Sequence, residues 1–263
     1  MNLINTIESM KKVFLFAALA LLCLACNEAG KSVSVTVSNA TSLERDGEMV
    51  EVSMSEVSSK LQLPDTAQIV VVDAEGQQVP YQITSDEKVI FPVSVQANGS
   101  TVYTIKAGIP QECPVKACGR YYPERVDDVA WENDLVAFRT YGPALQETGE
   151  RAFGYDIWTK YNTDDPVVEA RYEGELNPDT KAKIAELGKT DPEAAQELYR
   201  SVSYHVDHGN GLDCYKVGPT LGGGTAALMA GDTIIYPYCY ATQEILDNGP
   251  LRFTVRLVYH PLV

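Results

Sequence analysis

The first part of the chain alternates between apolar and polar residues with a period of two, as half-buried β-strands do. Residues 32–38 read S-V-S-V-T-V-S, which is the clearest case. Similar short runs, separated by turn-forming residues such as Asn98-Gly99, predict strands at residues 50–54, 68–73, 79–84, 89–95 and 101–106. Several short strands at this spacing are typical of a β-sandwich, which we assign to residues 27–110.

The second part follows a proline-containing seam at residues 109–118 and mixes strand and helix patterns. Residues 135–141 alternate, so Arg139 and Tyr141 share one strand face and Phe138 lies on the other. Helices are predicted at residues 178–187, ending at Gly188, and at residues 192–200, beginning with a proline. Apolar strands are predicted at residues 225–229, 233–240 and 251–259.

These patterns predict a mainly β chain in which a small N-terminal β-sandwich precedes a larger one. The larger β-sandwich covers residues 119–263 and carries a helical insert at residues 178–200. Residues 251–259 show the longest clean alternation. Such a strand has to pair within a sheet, yet only four residues follow it. We therefore expect the chain to be a C-terminally truncated piece of a longer protein.

The N-terminus has the pattern of an export signal. Lys11 and Lys12 precede an apolar run over residues 13–26, shorter than the roughly 20 residues of a spanning helix. The run ends in Leu24-Ala25-Cys26, which resembles a lipobox although Cys23 occupies the usual leucine position. The pattern predicts a lipoprotein signal over residues 1–26, lipidation of Cys26 and an anchor in the cell envelope, in the outer membrane or the periplasm. An ordinary cleaved signal is the alternative.

The charge of the chain argues against a nucleic-acid partner. Its 263 residues carry a net charge of −15, whereas polyanion binding depends on clustered Lys and Arg. Four cysteines lie beyond the signal, and export permits disulfides between them. Cys113 and Cys118 could close a small loop, but four cysteines allow three complete pairings, which stay open.

Titratable residues are concentrated at residues 203–218, which read S-Y-H-V-D-H-G-N-G-L-D-C-Y-K-V-G. Two of the three histidines of the chain, His205 and His208, flank Asp207, and Gly209-Asn210-Gly211 favours a tight turn after them. The same stretch adds Tyr204, Asp213, Tyr215 and Lys216. Such a set can transfer protons, although histidines beside an aspartate in a turn are often purely structural.

Three chemistries are compatible with the residue types of this stretch. His205, Asp207 and His208 could bind a divalent metal, but their spacing lacks the i, i+4 helical pattern of known histidine sites. A serine nucleophile has little support because no G-x-S-x-G motif is present. Acid–base catalysis without a metal or other cofactor is the leading interpretation, since histidine titrates near neutrality and tyrosine can protonate a departing oxygen.

Two long blocks of the chain have a specific sequence. The first, at residues 119–145, reads G-R-Y-Y-P-E-R-V-D-D-V-A-W-E-N-D-L-V-A-F-R-T-Y-G-P-A-L; the second is Y-H-V-D-H-G-N-G-L-D-C-Y-K-V-G at residues 204–218. Both blocks resemble those of an uncharacterised family of exported bacterial lipoproteins associated with polysaccharide breakdown. The resemblance implies a galactose-mutarotase-like β-sandwich and an oligosaccharide substrate. It also implies β-elimination from terminal uronic acids, because some members of the family are thought to be dehydratases.

Residues of these blocks supply our candidate site. We expect His205 or His208 to be the base, Tyr215 the acid, and Arg139 with Asn133 the partners of a substrate carboxylate. Trp131 or Trp158 would be the stacking platform for a sugar, with Trp131 the chosen candidate. Lys216 is a further catalytic candidate that could neutralise a carboxylate, and Tyr141 and Asp213 are further substrate-binding candidates. The competing hypothesis is a non-catalytic glycan-binding or scaffolding lipoprotein, in which the histidines are structural.

Overall fold

The computed structural model describes residues 31–64, 67–161, 165–236 and 238–261. The expected signal over residues 1–26, with Cys26, lies outside these described residues. Within them, no helix is both long and apolar enough to cross a membrane.

Residues 32–107 form two antiparallel sheets that pack against each other. One sheet has the order β1-β7-β3-β4 and the other β2-β6-β5. The strands are β1 (Ser32–Ser38), β2 (Arg45–Ser53), β3 (Ile69–Val72), β4 (Gln78–Val79), β5 (Gln82–Ile83), β6 (Lys88–Val95) and β7 (Ser100–Ala107). Apolar residues from both sheets, among them Val71, Phe91 and Ile105, form one shared core. This arrangement matches the small β-sandwich that the alternating pattern predicted.

A helix, α1 (Met54–Leu61), interrupts this sandwich and was not predicted. Residues 50–54 were assigned to a strand, but the strand ends at Ser53 and the helix begins directly afterwards. Val57 and Leu61 are its buried residues, and both join the sandwich core. Their i, i+4 spacing was the available signal for a helix.

The second part of the chain is built around a four-stranded antiparallel sheet of order β11-β10-β9-β8. Its strands are β8 (Cys118–Tyr122), β9 (Asp128–Glu132), β10 (Val136–Thr140) and β11 (Asp156–Thr159). Register pairs Arg139 with Asp156 and Ala130, and Phe138 with Trp131 and Ile157. The two rows point to opposite faces, so Arg139 and Phe138 are separated as the alternation predicted.

Four helices belong to this part of the chain. They are α2 (Pro143–Glu147), α3 (Val168–Leu176), α4 (Pro178–Thr190) and α5 (Pro192–Val202). The helix α3 packs on the face of the sheet that carries Arg139, and both α4 and α5 pack against α3. The helices α4 and α5 correspond to the predicted insert, but α4 continues through Gly188, where it was expected to end. The helix α3 was not predicted, and its Val168 and Tyr172 pack against Trp158 of the sheet in one core.

Two hairpins complete the described chain. One pairs β12 (Leu228–Ala230) with β13 (Thr233–Ile235), and the other pairs β14 (Tyr240–Asn248) with β15 (Phe253–Tyr259). The architecture is therefore mainly β with antiparallel sheets, and this part of the prediction is confirmed. The galactose-mutarotase-like form of the second sandwich stays a prediction.

The pairing of Cys113 with Cys118 is not found. Both thiols are free, as are those of Cys214 and Cys239. Cys113, Cys118 and Cys239 are half-buried, whereas Cys214 is exposed. Cys118 is the first residue of β8, whereas Cys113 lines a separate cavity beside the N-terminal sandwich. The thiols are consequently held by different parts of the fold.

Candidate functional site

The helix-covered face of the second sheet carries buried charges instead of a purely apolar surface. Asp128 begins β9, Arg139 lies on β10 and Asp156 begins β11. All three are buried, as is Asp213, which follows the helical insert. We call these four residues, Asp128, Arg139, Asp156 and Asp213, the buried charge cluster.

Arg139 is the centre of this cluster. Its guanidinium forms ion pairs with Asp156 and with Asp213. The distance from Nη2 of Arg139 to Oδ2 of Asp213 is 3.0 Å. It also donates to the hydroxyl of Tyr141 at 3.0 Å, while that hydroxyl donates to Asp156 at 3.1 Å. Asp128 lies farther away, 3.9 Å from the guanidinium. Because Arg139 is buried and surrounded by protein carboxylates, it is not placed to bind a substrate carboxylate as expected.

Asp213 reaches the cluster because its loop runs along the edge of β11. The backbone of Asp213 forms a β-bridge with Trp158, and its N–H donates to the carbonyl of Tyr204 at 2.9 Å. Immediately before it, the Leu212 N–H donates to the hydroxyl of Thr159 at 3.0 Å. These bonds fix the aspartate beside Arg139.

Burial changes the acidity of two of these carboxyl groups. It raises the pKa of Asp128 to about 6, although Arg139 and Arg125 act in the opposite direction. Burial, together with the negative charge of Asp156, also raises the pKa of Asp213 to about 6 against the influence of Arg139 and His205. The cluster therefore contains carboxyl groups that exchange protons close to neutral pH.

His205 connects the buried charge cluster to the surface. Its Nδ1 lies 3.3 Å from Oδ2 of Asp213 and 3.4 Å from the carbonyl oxygen of the same residue. Both neighbours of Nδ1 are acceptors, so the neutral ring carries its proton on Nδ1 and leaves Nε2 as the acceptor. The side chain is 46% exposed, whereas that of Asp213 is 1% exposed. A buried carboxylate thus orients an imidazole that solvent can reach.

The other side chains of the expected metal group point elsewhere. Oδ1 of Asp207 accepts the N–H groups of Gly209 at 2.8 Å and Gly211 at 3.1 Å, which holds the tight turn. Nε2 of His208 lies 3.0 Å from the carbonyl oxygen of Ser203. Across the described ranges, no three His, Cys, Asp or Glu side chains cluster as metal ligands. The structure does not bring His205, Asp207 and His208 together.

Tyr215 and Lys216 lie in different surroundings. The Tyr215 hydroxyl donates to the carbonyl of Tyr155 at 3.1 Å, and its N–H donates to Asp213 at 3.4 Å. Burial and the charges of Asp156 and Asp213 raise the pKa of Tyr215, so the phenol keeps its proton. Lys216 is 80% exposed and lies 3.6 Å from Glu150, so it belongs to the surface.

Trp131 and Asn133 do not join this site. Trp131 lies on the opposite sheet face, stacked on Phe138 and Phe253 with ring centroids 5.8 and 6.2 Å apart. The Asn133 side chain accepts the N–H groups of Leu135 and Val136 and so shapes its own turn. Both residues line a separate cavity of about 250 Å³. The expected sugar platform and amide partner are therefore not opposite His205.

Several residues at the site were missed from the sequence. Asp128 and Asp156 each begin a strand, and alternation would have placed Asp128 on the face of Ala130 and Arg139. Tyr172 donates to Asp128 at 3.0 Å from the helix α3, which was not predicted. Arg125 lies in a short 3-10 turn, where no periodic pattern indicates the direction of a side chain.

The glycine run after the site is structural. Gly222 forms a β-bridge with Tyr155, and a Cβ added at Gly223 would collide with the side chain of Ile157. The backbone lies directly against β11, where a side chain has no room. Glycine is needed here for close packing beside the strand.

The fold and site thus define a mainly β protein with a histidine–aspartate pair over a buried charge cluster. A comparison of the sequence with known protein families shows which family the chain belongs to. The profile described as "Domain of unknown function (DUF4861)" matches residues 37–263, and the chain belongs to this family. The sequence is also 24% identical over 264 residues to "Uncharacterized protein P7" of Formosa agariphila, covering 94% of this chain and 61% of that relative. The chain therefore spans less than two thirds of the relative's length.

Proposed function

We propose that the protein is a carbohydrate-active lyase that removes water from terminal uronic acids of oligosaccharides by β-elimination. The observation that carries the proposal is the contact between His205 and Asp213. A general base needs a lone pair open to the substrate and a partner that fixes its tautomer. His205 has both, because Asp213 holds Nδ1 while the side chain remains about half exposed.

The reaction follows from the acidity of the proton beside a carboxylate. Nε2 of His205 takes the proton from C5 of the uronate, and the electrons of that C–H bond form a double bond between C5 and C4. The bond between C4 and its oxygen breaks, and this oxygen leaves as water after it gains a proton. Buried Asp213 stabilises the imidazolium that forms, and the proton of His205 returns to solvent.

Tyr215 is our candidate for the acid that protonates the departing oxygen. The backbone of Tyr215 contacts Asp213, its side chain is 37% exposed, and its phenol keeps the proton that it would donate. We give His208 and Lys216 no step in this reaction, because the first contacts Ser203 and the second lies at the surface.

Export and lipid anchoring remain part of the proposal. A lipid on Cys26 would hold the protein in the cell envelope, where polysaccharide fragments are present. The alternative is a glycan-binding protein without catalysis, which is supported by exposed tyrosines such as Tyr161 at 64% and Tyr238 at 51%. Aromatic rings of this kind can stack on sugars.

An absorbance assay separates the two functions. Uronic-acid oligosaccharides are mixed with the protein, and absorbance near 235 nm reports the unsaturated uronate. We expect His205→Ala to lower the rate by about 10²- to 10⁴-fold, because a general base contributes this much. His208→Ala, the matched control, retains most of the rate. Equal rates in the wild type and His205→Ala would reject His205 as the base; glycan binding without absorbance would favour the alternative.

A further inference from the structure

Elimination beside a carboxylate requires a cation for that carboxylate. Negative charge spreads onto the carboxylate when C5 loses its proton, and a cation that binds it stabilises the intermediate. The carboxylate is bonded to C5, so its partner has to lie close to the base. Among the described residues, the cations on or beside the sheet face that carries Arg139 include Arg120, Arg125, Arg139, Lys160 and Arg171.

Four of these five cations already have close protein partners. Arg139 is held by Asp156 and Asp213, and Lys160 by Glu132 at 2.6 Å. Arg120 binds two carboxylates, Glu124 and Glu169, each at 2.7 Å. Arg171 donates to two backbone carbonyls at 2.8 and 3.0 Å.

Arg125 differs from them. Its closest carboxylate contact among the described residues is Nε to Asp128 at 3.9 Å, and its Nε donates to the Tyr204 hydroxyl at 3.4 Å. The side chain is 23% exposed. Both terminal nitrogens therefore lack a close carboxylate among these residues, although the guanidinium stays charged.

Arg125 and the base both contact Tyr204. This tyrosine is buried, its hydroxyl accepts from Arg125, and its ring packs on the ring of His205 with centroids 4.6 Å apart. Arg139 donates to the same hydroxyl at 3.3 Å, which fixes the tyrosine. One side chain therefore contacts the guanidinium through its hydroxyl and the imidazole through its ring.

We infer that Arg125 binds the carboxylate of the uronic acid and makes the site specific for the free acid. This inference rests on the proposed function, because it concerns the same site. The guanidinium forms a two-pronged pair with the carboxylate, which a methyl ester cannot form equally well. Tyr204 holds the arginine in place and acts as a positioning residue.

The test compares free acids with their methyl esters. Di- and trisaccharides ending in glucuronate, iduronate or galacturonate, and the methyl ester of each, are titrated into the protein by calorimetry and assayed at 235 nm. We expect Arg125→Gln to weaken binding of the free acid by about 10- to 100-fold, to lower kcat as well because the intermediate loses its cation, and to leave ester binding unchanged. Arg125→Lys retains part of the preference. Arg256→Gln, which removes an exposed arginine from the β14–β15 hairpin, retains all of it, and melting curves verify folding.

Each outcome decides the inference. A wild-type preference for the acid that persists in Arg125→Gln would overturn it while the elimination stands. Acid binding that depends on Arg125 without any absorbance change would support it and reject elimination. Absence of binding to every uronate would reject the proposed function and the inference together.

Discussion

At the scale of single residues, the unusual feature is the imbalance of charge around Arg139. Three buried aspartates surround one buried arginine, with Arg125 near one of them. Burying several carboxylates beside a single cation is costly unless one takes up a proton. The raised pKa values of Asp128 and Asp213, both about 6, are the expected response.

This response makes the stability of the fold depend on pH. The pKa of Asp128 is about 6 in the folded state against an ordinary 3.8, so the folded protein binds more protons between these values. The free energy of unfolding therefore falls as pH rises from about 4 to 6, and Asp213 acts in the same direction. We expect Asp128→Asn to reduce the difference in this free energy between pH 5 and pH 8 by about 1.4 kcal/mol.

Urea denaturation at the two pH values measures the effect. The exposed Asp232→Asn is the control for loss of one negative charge. An unchanged difference in Asp128→Asn would show that Asp128 does not bind the extra proton.

The sequence revealed part of this site. His205, Asp213, Arg139 and Tyr141 were selected because titratable residues cluster locally in two blocks. Asp156 has no cluster of titratable residues near it in the sequence. Arg125 is recognised as part of the site only in the folded structure, where it lies beside Tyr204. Trp131 and Asn133 lie apart from His205, because a local block can contribute residues to both faces of a sheet and to its turns.

At the scale of elements, periodicity predicted the regular strands and missed the irregular ones. The strand β1 coincides with its prediction, since it alternates without interruption. The strand β14 was missed, because its register shifts twice against β15 and the period is broken. The sequence pattern predicts that the helix ends at Gly188, yet α4 continues for two more residues, to Thr190.

Two glycines in contrasting surroundings, one in a helix and one in a closely packed loop, test whether glycine is needed at each position. Gly188 lies inside α4 with no atom within 4 Å of an added Cβ, so Gly188→Ala should stabilise the fold by about 0.5–1 kcal/mol. Gly222→Ala would place a Cβ in collision with the carbonyl oxygen of Tyr155, on a backbone with φ of +54°, and should destabilise the fold by about 1–3 kcal/mol. Thermal melting of both variants beside the wild type measures the contrast. Equal shifts in the same direction would contradict the close packing at Gly222.

At the scale of the molecule, the N-terminal sandwich is joined to the second part by polar contacts. Gln82 accepts the N–H groups of Leu251 at 3.0 Å and Arg252 at 2.8 Å, and it donates to the Arg252 carbonyl at 3.1 Å. The carboxylate of Asp247 accepts both the N–H and the hydroxyl of Ser85. The turn between β14 and β15 is therefore fixed to the sandwich.

Replacement of Gln82 should loosen this junction. Gln82→Met keeps the volume but leaves two backbone N–H groups without their acceptor, which costs about 1–3 kcal/mol for each group that stays buried. We expect faster proteolysis within residues 108–117 and broader thermal unfolding. Gln196→Met, on the exposed side of α5, is the control. Cleavage at the wild-type rate would show that Gln82 does not hold the two parts together.

The buried charge cluster also limits how this sequence can diverge. Replacing Arg139 alone leaves the buried carboxylates without their cation. Replacing one carboxylate alone changes the charge balance around Arg139 for the others. A broken buried ion pair costs about 3–5 kcal/mol, a large share of the roughly 5–15 kcal/mol that stabilises a typical domain. Successive single replacements would therefore pass through poorly folded intermediates. Relatives that lack this arginine are expected to have exchanged several of its partners with it, as one inherited unit.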